Sequence, residues 1–320
     1  MNKTILIFIF YIMIQTFALA ETIYVSNEKD HNITVIDGDS LEVINTVKVG
    51  HRPRGIILSK DKKKIIICTS DDNRLTVVDA KSLKIDYYLP SGPDPELMVM
   101  DDNGKYIFVA NEDDNMVTVV DYPNKEIVKE IPVGVEPEGM GLSPDGKTLV
   151  NTSETTNMAH FIDTETLEIK ANVLVDARPR VAQFTKDGNY VWVSSEIGGT
   201  ISIIDPKKFE IIKKIEFKVP GLSKESIQPV GVILDDKRQL AYVALGPANR
   251  VAIINMKTLE VEKYILTGQR VWNLIINIDG TRLYTTNGVS NDISVIDIEK
   301  RKVLKSIPVG RYPWGVVVKE

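Results

Sequence analysis

Two columns of residues carry the strongest chemistry in the chain. The residue just before a recurring proline position reads Arg52, Asp94, Glu136, Arg178, Gln228, Arg270 and Tyr312. The residue just after it reads Arg54, Glu96, Glu138, Arg180, Val230, Trp272 and Trp314. Successive members are 42 residues apart, with one step of 50. Arginine presents a planar fork that grips a carboxylate or phosphate through two parallel hydrogen bonds, and tryptophan offers a flat apolar face for stacking. If the columns converge, a planar anionic ligand could sit among Arg52, Arg54, Glu96, Glu138, Arg178, Arg180, Arg270, Trp272, Tyr312 and Trp314. The neighbouring acids Asp94, Glu96, Glu136 and Glu138 could take a cation, or could pair with the flanking arginines. In the second case the columns form an ionic network that only bridges adjacent repeats.

A further acidic set, Glu28, Asp30, Asp71, Asp72, Glu112, Asp113, Asp114, Glu154 and Glu196, reads as solvated loop residues, since its spacing does not match a calcium-binding EF-hand loop. The three histidines, His31, His51 and His160, form no cluster, and neither H-E-x-x-H nor C-x-x-C-H occurs. This gives no zinc or copper site and no covalently attached c-type haem; cofactor and metal content are otherwise open. Cys68 is the one cysteine and lies in an apolar run, which suits a small core residue better than a nucleophile.

The elements that must position the columns follow from the same period. An apolar run closed by Asp or Asn recurs with its last residue at 37, 79, 121, 163, 205, 255 and 297, which makes seven repeats with one eight-residue insertion near Phe217 to Ile227. Within residues 106–147 the pattern gives four short strands, at Tyr106 to Ala110, Met116 to Val120, Glu126 to Ile131 and Gly139 to Leu142, separated by polar, Gly- and Pro-bearing turns. The expected fold is all-β: a seven-bladed β-propeller of four-stranded blades. The chain begins at the second strand of a repeat, Ile23 to Val25, and ends at a first strand, Trp314 to Val318. The C-terminal strand should therefore complete the N-terminal blade as its inner strand. The terminal Asp series is expected to cap hairpins by accepting backbone N–H groups. Asp145-Gly146, Asp187-Gly188 and Asp279-Gly280 should be turns in which glycine supplies the positive φ.

Lys3, the apolar run Ile5 to Phe17 and the small-x-small site Ala18-Leu19-Ala20 have the three-part form of a secretory signal peptide, too short to span a membrane. The expected organisation is a signal peptide at 1–20 and a single propeller domain at 21–320, periplasmic or secreted, monomeric, with no membrane span after cleavage. No cysteine follows the cleavage site, which speaks against a lipoprotein. Of 320 residues, 39 are Lys or Arg and 44 are Asp or Glu, a net charge of −5 that gives no electrostatic case for nucleic acid.

The stretches Tyr24-Val25-Ser26-Asn27, Phe108-Val109-Ala110-Asn111 and Tyr284-Thr285-Thr286-Asn287, with the Val-Asp turns and Val-Gly-x-x-Pro-x-Gly segments, resemble the YVTN repeat. The resemblance covers the whole mature chain and is specific for fold. With the signal peptide and the Arg-Pro-Arg segments it looks most like the secreted YVTN propellers associated with PQQ-dependent alcohol catabolism, a group for which no activity is implied. The Trp-docking repeats of PQQ dehydrogenases are missing.

The main reading is therefore a binding or scaffold propeller, accessory to PQQ-dependent alcohol oxidation, with a ligand site at the channel mouth. Its partners would be a periplasmic dehydrogenase or cytochrome, or a small anionic ligand. The alternatives are a cofactor- or metal-dependent propeller, either lactonase-like through Glu96, Glu138 and Asn273 or haem d1-like, and a surface propeller that binds another protein. For the haem version Arg54 occupies the inner-strand place where a histidine is expected, and His51 is the nearby substitute.

Overall fold

The structure, a computed structural model, describes residues 21–320, so the expected signal segment lies outside the described residues. Alternating β-branched and apolar residues, broken every few positions by Asp, Asn, Gly or Pro, give 28 strands in seven four-stranded antiparallel sheets. Blade 1 comprises β1 (Thr22–Asn27), β2 (Asn32–Asp37) and β3 (Glu42–Lys48), with β28 (Pro313–Lys319) as its inner strand. Blade 2 is β4 (Pro53–Leu58), β5 (Lys64–Thr69), β6 (Arg74–Asp79) and β7 (Ile85–Pro90). Blade 3 is β8 (Pro95–Met100), β9 (Tyr106–Asn111), β10 (Met116–Asp121) and β11 (Glu126–Pro132), and blade 4 is β12 (Pro137–Leu142), β13 (Thr148–Ser153), β14 (Met158–Asp163) and β15 (Glu168–Leu174). Blade 5 is β16 (Pro179–Phe184), β17 (Val191–Ser195), β18 (Thr200–Asp205) and β19 (Glu210–Glu216). Blade 6 is β20 (Val232–Asp235), β21 (Leu240–Ala244), β22 (Arg250–Asn255) and β23 (Glu260–Leu266). Blade 7 is β24 (Val271–Ile276), β25 (Arg282–Asn287), β26 (Asp292–Asp297) and β27 (Lys302–Pro308).

The ring closes as the chain ends predicted. β28 pairs with β1 in the register Thr22↔Lys319, Ile23↔Val318, Tyr24↔Val317 and Val25↔Val316. Apolar clusters lie between neighbouring blades; one holds Ile23, Val25 and Val316 of blade 1 with Tyr284, Ile293 and Val295 of blade 7. The two middle strands of each blade are almost wholly buried, whereas the outer strands are largely exposed. The hairpin caps form as expected: Asp79 Oδ1, for instance, accepts from Lys81 N at 3.2 Å and Ser82 N at 2.8 Å. Gly146, Gly188 and Gly280 have φ of 71°, 69° and 74°.

Three repeated devices fix the inner strands. In six blades the register between the inner strand and its neighbour shifts just after the proline position, so two residues oppose one, as between Pro53↔Thr69 and Ile56↔Ile67. A bulge of this kind takes a side chain out of the ladder and re-aims it; here it re-aims Arg54, Glu96, Glu138, Arg180, Trp272 and Trp314. The residue opposite the bulge then ties one blade to the next. The hydroxyls of Ser26, Thr152, Ser194 and Thr286 donate to the carbonyls of Arg54, Arg180, Val230 and Trp314 at 2.6, 3.0, 2.6 and 2.7 Å. Cys68 holds the same place in blade 2 and is fully buried. Finally, in six of the blades the residue before the inner strand takes a left-handed φ, from 48° to 59° at Arg52, Asp94, Glu136, Arg178, Arg270 and Tyr312. Its N–H donates to a side chain of the preceding blade: His31 Nδ1 for Arg52 at 3.1 Å, and the Asn73, Asn115, Asn157, Asn249 and Asn291 amides for the others.

Candidate functional site: an ionic ring at the channel mouth

The bulges and the left-handed residues bring both sequence columns to one end of the ring, and the same backbone brings a third. The residue that follows the second strand of each blade donates its N–H to the carbonyl of the left-handed residue: Glu28 to Tyr312, Glu112 to Asp94, Glu154 to Glu136 and Glu196 to Arg178, all at 2.8–3.0 Å. Glu28, Glu112, Glu154 and Glu196 therefore stand beside the predicted residues instead of waving in solvent loops. Glu154 and Glu196 are buried, 2% and 3% exposed, and this corrects the expectation for that acidic set. The signal was present, because these positions also recur at 42 residues. The more distal members, Asp71 and Asp113, do sit in turns, and Asp71 stays half exposed.

The arginines are tied into two groups. Arg52 donates through Nη1 to Asp94 Oδ1 and Oδ2 at 2.8 and 3.0 Å and through Nη2 to Glu96 Oε1 at 2.9 Å. Arg54 Nη1 donates to Glu96 Oε2, and its Nε lies 3.6 Å from Glu28 Oε2. In the second group Arg180, 4% exposed, pairs through Nη2 with Glu138 Oε1 at 3.0 Å and through Nη1 with Glu154 Oε1. Arg178 Nε donates to Glu196 Oε2 at 3.1 Å, and Arg270 donates to Glu196 Oε1 at 2.6 Å and to Gln228 Oε1 at 2.9 Å. The ionic network anticipated as an alternative thus exists, in one group across blades 1 to 3 and another across blades 4 to 7.

The network leaves charge and hydrogen-bond capacity over. Eight carboxyl groups (Glu28, Asp94, Glu96, Glu112, Glu136, Glu138, Glu154, Glu196) face five guanidiniums, a surplus of three acidic groups. Burial pushes Glu96 and Glu112 above the ordinary carboxylate range and Glu154 up to about 8, against the opposing pull of Arg54 and Arg180. Carboxyl groups crowded together in this way give up their protons as a coupled set. On the donor side, Arg54 Nε, Arg180 Nε and Trp314 Nε1 are buried without an acceptor. Above them opens a cavity of about 350 Å³, lined by all five arginines with Glu112, Glu196, Ile197, Gln228 and Trp272.

The aromatic members behave differently from the sequence expectation of free stacking faces. Arg270 lies over Trp272 at 4.3 Å from the ring centroid, with Arg180 at 5.6 Å. Trp314 is 2% exposed and faces Arg54 at 5.7 Å. Both rings hold arginines in place by cation–π contact. Tyr312 is exposed at the rim, near Lys29. Val230 occupies the ring position of blade 6, behind the insertion, which forms a short 3-10 turn at Lys224–Ser226. Asn273, one of the three residues of the lactonase-like set, spends its amide on Trp314 O at 3.1 Å and does not converge with Glu96 and Glu138. The acids that do converge are Asp94, Glu96 and Glu112, and Glu112, Glu136 and Glu154.

The histidines divide by role. His160 is buried; its Nε2 accepts from Gly134 N at 2.9 Å and its Nδ1 faces Asn172 Oδ1 at 2.6 Å, so it is a neutral structural residue whose pKa burial lowers. His51 is exposed next to Arg52, with Nδ1 2.7 Å from Asp72 Oδ1, an arrangement that leaves Nε2 as a free acceptor.

Comparison with known proteins adds a direction. The Cytochrome D1 heme domain family matches residues 65–182, a stretch from blade 2 into blade 5 that holds Glu96, Glu112, Glu138, Glu154, Arg178 and Arg180. No curated protein matches. Among solved structures, Kuenenia stuttgartiensis hydrazine synthase is 22% identical, with 86% of this chain and 92% of that chain covered at a TM-score of 0.77. A functionally unknown protein from Desulfotomaculum acetoxidans is 15% identical, covering 93% and 98% at a TM-score of 0.79. The dihydro-heme d1 dehydrogenase NirN in complex with DHE is 16% identical, covering 90% of this chain and 63% of that longer one at a TM-score of 0.68. At these identities the structures establish the propeller fold, and the chain is a β-propeller similar in part to the haem d1 domain.

Proposed function

We propose that this chain is an exported YVTN-type propeller that binds a planar, carboxylate-bearing redox cofactor of the haem class at its mouth, in preference to acting as a scaffold for PQQ-dependent alcohol oxidation. The observation that carries this reading is the cavity lined by five arginines whose positions buried carboxylates and two tryptophans fix in advance. Fixed guanidiniums lose little freedom on binding and suit carboxylates at the edge of a macrocycle. Arg178, Arg270 and Arg52 keep part of their surface open and would hold those carboxylates. Trp272 is already covered by Arg270, so the face of the ligand would meet guanidinium planes and Ile197.

The donor set fits such a group in a particular way. Among the described residues no inner strand presents a histidine. His51, paired with Asp72 in the carboxylate–histidine arrangement common at metal sites, is exposed beside Arg52 and outside the residues that line the cavity; it would be the histidine to reach an iron held there. A bound haem would supply one-electron chemistry; the chain's own residues bind its carboxylates and set its orientation. The match to the Cytochrome D1 heme domain and the likeness to NirN favour this class over PQQ. A cytochrome or dehydrogenase is the partner such a carrier would serve.

The test is an absorption spectrum of the protein purified from its native compartment, followed by uptake of haemin or a d1-type haem by the colourless protein. A Soret-region band that shifts in His51→Ala is expected. A protein that carries no chromophore and shifts neither macrocycle's spectrum overturns the proposal, and saturable binding of PQQ alone restores the scaffold reading.

A further inference from the structure

The outer strands of the blades share one construction, and β3 departs from it. β7, β11, β15, β19, β23 and β27 each bury one side chain toward their C-terminal end, from Leu89 in blade 2 to Ile307 in blade 7. Each also carries a charge between its ends: Asp86, Lys129, Lys170, Lys213, Lys263 and Lys305 among them. A charge in the middle of an edge strand deters a second strand from pairing with it. β3, Glu42–Lys48, has no buried residue and no charge from Val43 to Val47. Val43 is 44% exposed and Ile44 58%. The register with β2 passes from Val35↔Asn45 to Ile36↔Val43, so Ile44 is a bulged residue outside that ladder. Four of the five uncharged positions hold Val, Ile or Thr, the residue types that favour strand association.

The ends of β3 point to what it meets. Glu42 opens the strand, Lys48 closes it and Asn45 stands at its centre. Turned end for end, the strand therefore presents opposite charges to itself. Glu42 has Lys305 Nζ at 2.7 Å and Lys48 Nζ donates to Asp30 O at 2.7 Å, but both contacts are exposed and hold their side chains weakly. We propose that β3 is a self-association edge, through which two copies of this chain meet antiparallel about a two-fold axis at Asn45. In that arrangement Glu42 of each copy faces Lys48 of the other, and the uncharged run Val43 to Val47 lies between the two ion pairs. The contact is isologous, so it closes at two copies instead of growing into a fibre. It lies on the outer edge of blade 1, which makes it independent of any ligand at the mouth, and it replaces the monomer expected from sequence with a concentration-dependent dimer.

The experiment is sedimentation velocity of the full mature chain from about 1 to 500 μM, a range that covers the weak affinity of a contact this small. A monomer–dimer equilibrium with no larger species is expected. Asn45→Lys copies the lysine found at this position in four other blades (Lys129, Lys213, Lys263, Lys305) and sets two like charges at the axis, so it should abolish the dimer. Glu42→Lys and Lys48→Glu should each weaken association by about tenfold, and the double variant Glu42→Lys with Lys48→Glu should restore it. Thermal unfolding of each variant separates lost association from lost fold. A protein that stays monomeric at every concentration, a dimer indifferent to Asn45→Lys, or single charge reversals that the double variant does not rescue in folded protein overturns the assignment.

Discussion

Replacing Arg180 by alanine removes the guanidinium that Glu138, Glu154 and, at 3.7 Å, Glu196 share. All four side chains are at most 4% exposed, so water cannot take over the vacated role. Breaking a buried ion pair by deleting one partner costs about 3–5 kcal/mol, because a charge is left unpaired in low dielectric; here two carboxylates lose their closest cation. Arg178 and Arg270 still hold Glu196, which keeps the expected loss near that range instead of beyond it. The same change at the half-open Arg178 should cost about 1 kcal/mol or less. The assay is urea unfolding of the mature protein at pH 8 and pH 5.5. Burial raises Glu154 to about 8 and pushes Glu96 and Glu112 in the same direction. The native ring therefore holds protons that the unfolded chain releases from about pH 4.5 upward. The ring's contribution is fully present below the unfolded value and is lost as pH climbs through the folded one. In Arg180→Ala the orphaned carboxylates protonate more readily still, so the destabilisation should shrink by at least half at pH 5.5. A loss below about 1 kcal/mol at pH 8, or an equal loss at both pH values, would refute the reasoning.

Other expectations follow from the same geometry. Deleting residues 311–320 removes β28 and exposes the inner edge of β1; the truncated chain should aggregate or melt many degrees lower, and a melting point unchanged within a degree or two would mean the closing strand is dispensable. The N-terminus of the exported protein should be Glu21, whose carboxylate accepts from Tyr284 Oη at 2.7 Å and whose carbonyl accepts from Gly38 N at 2.7 Å, and mass spectrometry of the mature chain checks it. Unfolding of the wild type should show greatest stability between about pH 5 and 7. Above that window the ring carboxylates lose the protons that burial favours; below it, hydrogen-bonded acids such as Asp163, held at about 2 chiefly by Lys170, must be protonated.

The fold was legible because its unit is written seven times. A period of 42 with one 50-residue step gave blade number, insertion and closure, and a Pro-flanking column gave the ring. What stayed hidden depends on contacts between blades. Glu154 and Glu196 look like loop acids beside Thr155 and Ile197, and only the neighbouring arginines bury them. His31 reads as an isolated loop histidine, yet it stands in a column filled by asparagine at five of the other six positions and by Gly199 at the sixth, and its Nδ1 replaces an amide oxygen. Trp272 and Trp314 were visible as mouth residues, but not that Arg270 and Arg54 would already occupy their faces. Strand pattern and turn chemistry are local and survive in one sequence. Burial of a charge is decided by a residue 42 or more positions away.

The central claim is that the arginines of the mouth bind a planar anionic ligand, and fluorescence titration of the protein with haemin, with PQQ as the comparison, tests it most directly. Two of the three tryptophans, Trp272 and Trp314, contact ring arginines, whereas Trp192 is buried in the core between blades 5 and 6. The account predicts a saturable quench that persists in Trp192→Phe. It should weaken about tenfold or more for each of Arg178→Ala and Arg270→Ala, since a charge-assisted contact is worth about 1.5–3 kcal/mol. A quench of equal affinity in the double arginine variant, or no quench by either ligand in a folded wild-type protein, would contradict it.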